Sequence, residues 1–205
     1  MNLRISLAAA AIAAISSQFA SGAVIVFSTE SLWNNYTQSG GFGIVTEDFS
    51  GYNGFYASGL AGTSSGGAGT VNWTASASGG LYAAAGLFST NNIAPLSFDF
   101  SSTQVRAVGG NFFSTDINFN FVTSIIQVSL NDGTSYFGQI DNAADFVGFY
   151  STDALISSIT ITAIPTPGGT QSVYPTVDNL SWGVVPAPGA IALLGLAGLA
   201  GRRRR

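Results

Sequence analysis

The stretch that decides the fold is Phe121-Val-Thr-Ser-Ile-Ile-Gln-Val-Ser-Leu130 followed by Asn131-Asp-Gly-Thr-Ser-Tyr-Phe-Gly-Gln-Ile140. Ile126, Val128 and Leu130 alternate with polar residues, the period of a strand with one face buried. Asn131-Asp132-Gly133 then separates this run from a second strand-like run, Ser135–Ile140. Gly supplies the positive φ that a tight turn between antiparallel strands requires, so the two runs predict a hairpin.

Outward from this hairpin the same texture repeats. Strand-like runs rich in β-branched and aromatic residues occupy Val24–Phe27, Ile44–Phe49, Gly69–Ala77, Leu81–Phe88, Leu96–Phe100, Val105–Phe113, Phe146–Tyr150, Leu155–Ile164 and Thr176–Trp182. Gly, Asn, Asp, Ser and Pro punctuate them. Ile117, Phe119 and Phe121 also alternate. One short helix is predicted from Ser28 to Tyr36, with Ser28 as N-cap, Glu30 in the first turn, and Leu32, Trp33 and Tyr36 at helical spacing. Trp33 reads as a packing plug. Tyr56–Gly69, rich in Gly and Ser, reads as a mobile surface loop, and Pro165–Gly169 as a second loop entering the last strand. About ten short strands and one N-terminal helix predict an all-β chain, an antiparallel β-sandwich of jelly-roll type over residues 24–183, with a closed barrel as the alternative.

Composition narrows the chemistry. Charged residues are 8% of the 205. Between Val24 and Val185 the one base is Arg106 and the acids number ten, a formal charge of −9. Such a body repels phosphate backbones, which argues against nucleic acid as a partner. Cys, His and Lys are absent from the body. Disulfides, thiolate metal sites, Ser-His-Asp devices and lysine Schiff bases are therefore excluded. A carboxylate pair of glycosidase type is left, with Glu30 and Glu47 as the only glutamates, and no spacing brings them together. The chain reads as a non-enzyme.

Both ends carry export signals. Met1–Arg4 is a short positive segment, Ile5–Ile15 an apolar run, and Ser21-Gly-Ala23 places small residues for signal peptidase, giving a leader of residues 1–23. At the other end, Val185-Pro186-Ala187-Pro188-Gly189 precedes an apolar stretch to Gly201 and the cluster Arg202, Arg203, Arg204, Arg205. As a helix this stretch rises only about 20 Å, short of the ~30 Å hydrocarbon core. The arginines act as a stop-transfer flank and stay cytoplasmic, which leaves the body on the far side of the inner membrane, as the leader requires.

The order of a proline-flanked motif, a short Leu/Ala/Gly helix and a terminal Arg cluster over residues 184–205 resembles the PEP-CTERM sorting signal. Ala187 stands where the motif that names the family has Glu, so the resemblance is to its Pro-Ala-Pro variant. Gly109–Asn120, Val128–Thr134, Phe146–Phe149 and Val177–Gly183 are similar to segments common in PEP-CTERM surface proteins. The resemblance implies recognition of the tail by an exosortase. It also implies an inner-membrane-tethered precursor, held transiently through the tail, and final placement at the cell surface or in the extracellular matrix. It implies no catalytic activity.

Two kinds of binding site are expected. Calcium takes six to eight oxygens. Glu47 and Asp48 near an early strand and Asp178 in the last strand are the candidate ligands of a structural Ca²⁺, the one cofactor the sequence suggests. Asp116-Ile-Asn-Phe-Asn120 imitates half of an EF-hand loop, but the sixth position is Phe121 and the twelfth Gln127, so it reads as a turn tied by Asp and Asn side chains. For stacking on sugars of an extracellular polysaccharide the candidates are Tyr52, Phe55, Tyr56 and Trp73, which flank the Gly/Ser-rich segment.

Overall fold

The computed structural model describes residues 23–66, 69–101 and 103–185. The leader up to Gly22, the motif from Pro186 to Pro188, the apolar stretch and the Arg cluster lie outside the described residues. Among the described residues no helix is long and apolar enough to cross a membrane.

The chain order is β1 (Val24–Phe27), α1 (Glu30–Ser39), β2 (Gly43–Glu47), β3 (Gly54–Tyr56), β4 (Leu60–Gly66), β5 (Gly69–Ser76), β6 (Leu81–Ala84), β7 (Leu87–Thr90), β8 (Leu96–Asp99), β9 (Val105–Thr115), β10 (Ser124–Leu130), β11 (Ser135–Ile140), β12 (Phe146–Ser151), β13 (Ser158–Pro165) and β14 (Tyr174–Val184). They form two sheets, antiparallel in every pairing. One runs β1-β12-β9-β14-β7-β6-β3, with β2 also pairing along β14; the other runs β11-β10-β13-β8-β5-β4. The expected all-β sandwich is the observed architecture.

The expected hairpin of β10 and β11 forms, with Ser129 opposite Ser135. The Gly133 amide donates to Leu130 O (3.1 Å), Gly133 has φ +88, and the Leu130 amide donates to Thr134 O (2.8 Å). This is a three-residue loop, a tight turn followed by a left-handed glycine. Ile126, Val128 and Leu130 point into the core between the sheets, where Phe98, Phe112, Phe149, Trp73 and Trp182 are also buried.

The outer face of the larger sheet is covered in part by α1. Trp33 is fully buried there, its Nε1 donating to Phe149 O at 2.9 Å, and it packs with Ala107, Phe146 and Tyr150 in a second apolar cluster. Strand β12 is therefore buried along its whole length, Val147 and Phe149 toward the sandwich core and Phe146 and Tyr150 toward α1. That explains why Phe146–Tyr150 reads as a continuous apolar run rather than an alternating one. Burying a tryptophan of roughly 200 Å² contributes at most about 5 kcal/mol. The helix starts one residue later than expected: Thr29, extended at φ −137 and ψ 121, is the N-cap, and its side chain makes no capping bond.

Four local expectations are corrected. Leu81–Phe88 is not one strand but β6 and β7, reversed at Ala85 and Gly86 with φ +53 and +83. Two successive positive φ values make the type of turn that matches strand twist. The Tyr56–Gly69 segment is not a loop: β4 pairs with β5 from Leu60 opposite Ala75 to Gly66 opposite Gly69. Sheet pairing overrides the low strand propensity of Gly and Ser there. The alternation of Ile117 and Phe119 is not that of a strand: both sit in the turn expected over Asp116–Asn120, with Phe119 at φ +63. The strands among the described residues number fourteen rather than about ten.

Candidate functional site

A row of aromatics crosses the outer face of the larger sheet at its β3 end. Phe55 of β3 lies directly opposite Tyr82 of β6. Tyr82 points outward because its neighbours Leu81 and Ala83 point into the core. Phe119 comes to the same place from the turn after β9, its ring centroid 5.6 Å from that of Tyr82. Phe55 is 51% exposed and Tyr82 37% exposed. The Phe55 ring overlies Gly80, where a Cβ would stand 2.6 Å from its Cε2.

The turn that presents Phe119 is built on one carboxylate. Asp116 Oδ1 accepts the amides of Asn118 (2.8 Å) and Asn120 (2.9 Å), and Oδ2 accepts Asn120 Nδ2 (3.0 Å). These bonds hold Phe119 in the left-handed region, which costs a non-glycine residue roughly 1–2 kcal/mol. The Asn120 side-chain amide first, then the backbone amides of Asn120 and Asn118, keep the Asp116 carboxyl below its ordinary range. It stays ionised and is a poor proton donor. The sequence reading of this segment as a turn tied by Asp and Asn side chains matches the structure.

Between the turn and the sheet lies a groove of about 430 Å³, lined among others by Tyr82, Asn91, Asp116, Asn118, Phe119 and Tyr174. Beneath it the hydroxyls of Thr115, Thr176 and Ser89 are linked in series at 3.0 and 2.9 Å, and Ser89 Oγ donates to Pro175 O at 3.1 Å. That series fixes β9, β14 and β7 side by side under the groove. No base lines it. Arg106, the single base of the body, lies at the other end of β9, nine residues and about 30 Å of strand from Thr115. Its Nη1 donates to Thr152 O at 2.6 Å. The groove therefore presents aromatic faces, amides and one carboxylate, a surface suited to a neutral or cationic polyhydroxyl ligand and repellent to an anionic one.

The residues expected to stack on sugars divide. Trp73 is a correction: it is 2% exposed, ringed by Phe49, Tyr52, Phe88 and Phe98, and its Nε1 donates to Ser64 Oγ at 2.9 Å. Alternation along β5 points it between the sheets, out of reach of a ligand. Tyr52 packs edge-on against Trp73, with centroids 5.6 Å apart. Burial, with Glu47 and Tyr56 nearby, pushes its phenol pKa up. Tyr56 is half-buried and its hydroxyl bonds the backbone of Asn53. Phe55 alone of the four belongs to the exposed row. Tyr82, Phe119 and Tyr174 were missed by the sequence reading. The outward parity of Tyr82 between Leu81 and Ala83 was the available signal.

The three acids expected to bind calcium are neighbours in the fold but turn different ways. Glu47 Oε1 accepts the Phe49 amide (3.0 Å) and Oε2 the Ser64 hydroxyl (2.7 Å), so it closes a relay from Trp73 inside the sandwich. Asp48 Oδ1 accepts the amide and hydroxyl of Ser50, which lower its pKa. Asp178 sits where β14 bulges, with Asn179 in the left-handed region at φ +50 and the pairing with β9 slipping by one residue. Burial first, then the Asp48 carboxylate, push its pKa up, against the lowering bond from the Asn179 amide. Among the described residues no three acidic side chains form a group that could hold a metal ion. Of the two glutamates considered for catalysis, Glu30 is exposed in the first turn of α1 and Glu47 is engaged as described.

No family model, no curated protein and no solved structure matches the chain.

Proposed function

We propose that the chain is an exported cell-surface or matrix protein that holds extracellular polysaccharide through the Phe55–Tyr82–Phe119 row. The row carries this reading: Tyr82 and Phe119 line the groove and Phe55 stands opposite Tyr82, so three partly exposed rings form a platform on which the apolar faces of pyranose rings stack. In this reading signal peptidase removes the leader after Ala23. An exosortase then reads Val185, Pro186, Ala187 and Pro188, with Arg202–Arg205 held on the cytoplasmic side. The inner membrane is a transient partner through the tail, and nucleic acid is not a partner. The role is structural or adhesive, without catalysis; the engagement of both Glu47 oxygens favours this over glycoside hydrolysis.

The strand order supports the jelly-roll version of the sandwich. Counted from β7 as one to β14 as eight, one sheet contains the order 6-3-8-1 and the other 5-4-7-2. These are the orders expected of the two sheets when two Greek keys interlock as a jelly roll.

Two measurements test the proposal. Expressed in hosts with and without an exosortase, the protein should lose its tail only in the first, as read by mass spectrometry of the surface fraction; an intact tail there refutes processing. In affinity electrophoresis through neutral polysaccharides, Tyr82→Ala should weaken retardation about tenfold, the equivalent of ~1.4 kcal/mol. Polymers of uronic acid should give no retardation. Equal binding by wild type and Tyr82→Ala refutes the site.

A further inference from the structure

Among the described residues, nothing guards the outer edge of the six-stranded sheet. Its last strand, β11, is hydrogen-bonded to β10 on one side only. Ser135-Tyr-Phe-Gly-Gln-Ile140 contains no charge and no proline, and its register with β10 is unbroken by any bulge. Soluble proteins ordinarily blunt such an edge with Lys, Pro or a bulge, because a row of free N–H and C=O groups is a template for another strand. Phe137, at the centre of β11, is 62% exposed on the outer face. The other sheet ends differ: β3 has three residues, β1 has four, and β4 presents Gly and Ser with no large apolar side chain beyond Leu60 at its start.

We propose that β11 is a self-association edge, at which two copies of this chain pair antiparallel about a two-fold axis through Phe137 and join their six-stranded sheets into one. The strand is self-complementary in that register. Phe137 meets Phe137, Ser135 meets Gln139, and Tyr136 meets Gly138, over which each copy's own Tyr136 ring already lies. Aromatic pairs directly opposite are among the stronger cross-strand contacts. An isologous two-fold contact is also the commonest way for identical chains to associate. The same register brings Asp141 of one copy to the Asp132–Gly133 turn of the other, at both ends of the contact. Like charges there oppose the dimer, so association strengthens as salt screens them. The inference does not rest on the polysaccharide reading, since Phe137 lies on the opposite sheet from Tyr82.

The absence of cysteine makes the test unambiguous. In the full-length exported chain, Phe137→Cys should form a disulfide-linked dimer on oxidation, whereas Thr63→Cys on the edge strand β4 should not. In sedimentation of the full-length chain in non-ionic detergent, the dimer fraction should rise with concentration. It should rise again between about 0.01 M and about 0.1 M salt, as the screening length falls from about 30 Å to about 10 Å. Phe137→Lys should raise the dissociation constant at least tenfold with an unchanged Tm, because the side chain is exposed. A monomer under all these conditions overturns the proposal. So does a dimer indifferent to Phe137→Lys, or a Thr63→Cys chain that cross-links as readily as Phe137→Cys.

Discussion

A Cβ added at Gly148 would stand 2.5 Å from Trp33 Cδ1 and 2.7 Å from Phe146 Cε1. Neither ring has room to withdraw, since Trp33 is fully buried and tied to Phe149 O. Gly183 plays the same part beneath Thr37, with its Cβ position 2.6 Å from Cγ2. The helix thus seats on positions without side chains. Gly148→Ala should destabilise the fold by about 1–3 kcal/mol through overpacking, a drop in Tm of roughly 5 °C in thermal unfolding. Its φ is not in the left-handed region, so the loss reports packing rather than backbone strain. Residue identity alone told which tryptophan plugs a helix, because Trp33 has helical spacing with its apolar neighbours. It did not tell which aromatics face solvent. Trp73 and Tyr82 both stand in alternating segments, and only knowledge of which side of each strand meets the other sheet separates the core ring from the exposed one.

Among the elements, the β10–β11 hairpin was legible because Asn131-Asp132-Gly133 states its geometry locally. Thr134 donates its amide to Asp132 Oδ1 (2.8 Å), and the left-handed residue is a glycine. The β6–β7 hairpin was not legible because Ala85 occupies a left-handed position that Asn or Gly normally fills. Replacing it by the favoured residue relieves that mismatch. Ala85→Asn should stabilise by about 0.5–1 kcal/mol, read from the midpoint of chemical denaturation with an unchanged slope. Strand β4 was hidden for a different reason. Its Gly/Ser composition has no strand preference of its own, and it is held by pairing with β5 and by the Trp73–Ser64–Glu47 relay.

Across the whole molecule, the strand that completes the sandwich comes last. β14 lies between β9 on one side and β7 and β2 on the other, and its Val177, Leu180, Trp182 and Val184 are core residues. A chain ending at Val173 should therefore lack cooperative unfolding altogether, as followed by near-ultraviolet circular dichroism; a cooperative transition in that fragment would show the sheet complete without β14. Because pairing waits for the final strand, folding is slow and long-range. The sequence by itself determined the all-β class, the hairpin at Gly133, the helix around Trp33, the poverty of catalytic groups and the acidity of the body. Each is written in local periodicity, turn chemistry or composition. Only the tertiary structure decided that Phe55, Tyr82 and Phe119, from three separate segments, share one face. It alone decided that Glu47 turns inward while Asp48 turns out, and that β11 is left as an edge. Those outcomes depend on which strands pair and which face each buries, and such long-range choices leave no local mark in the chain.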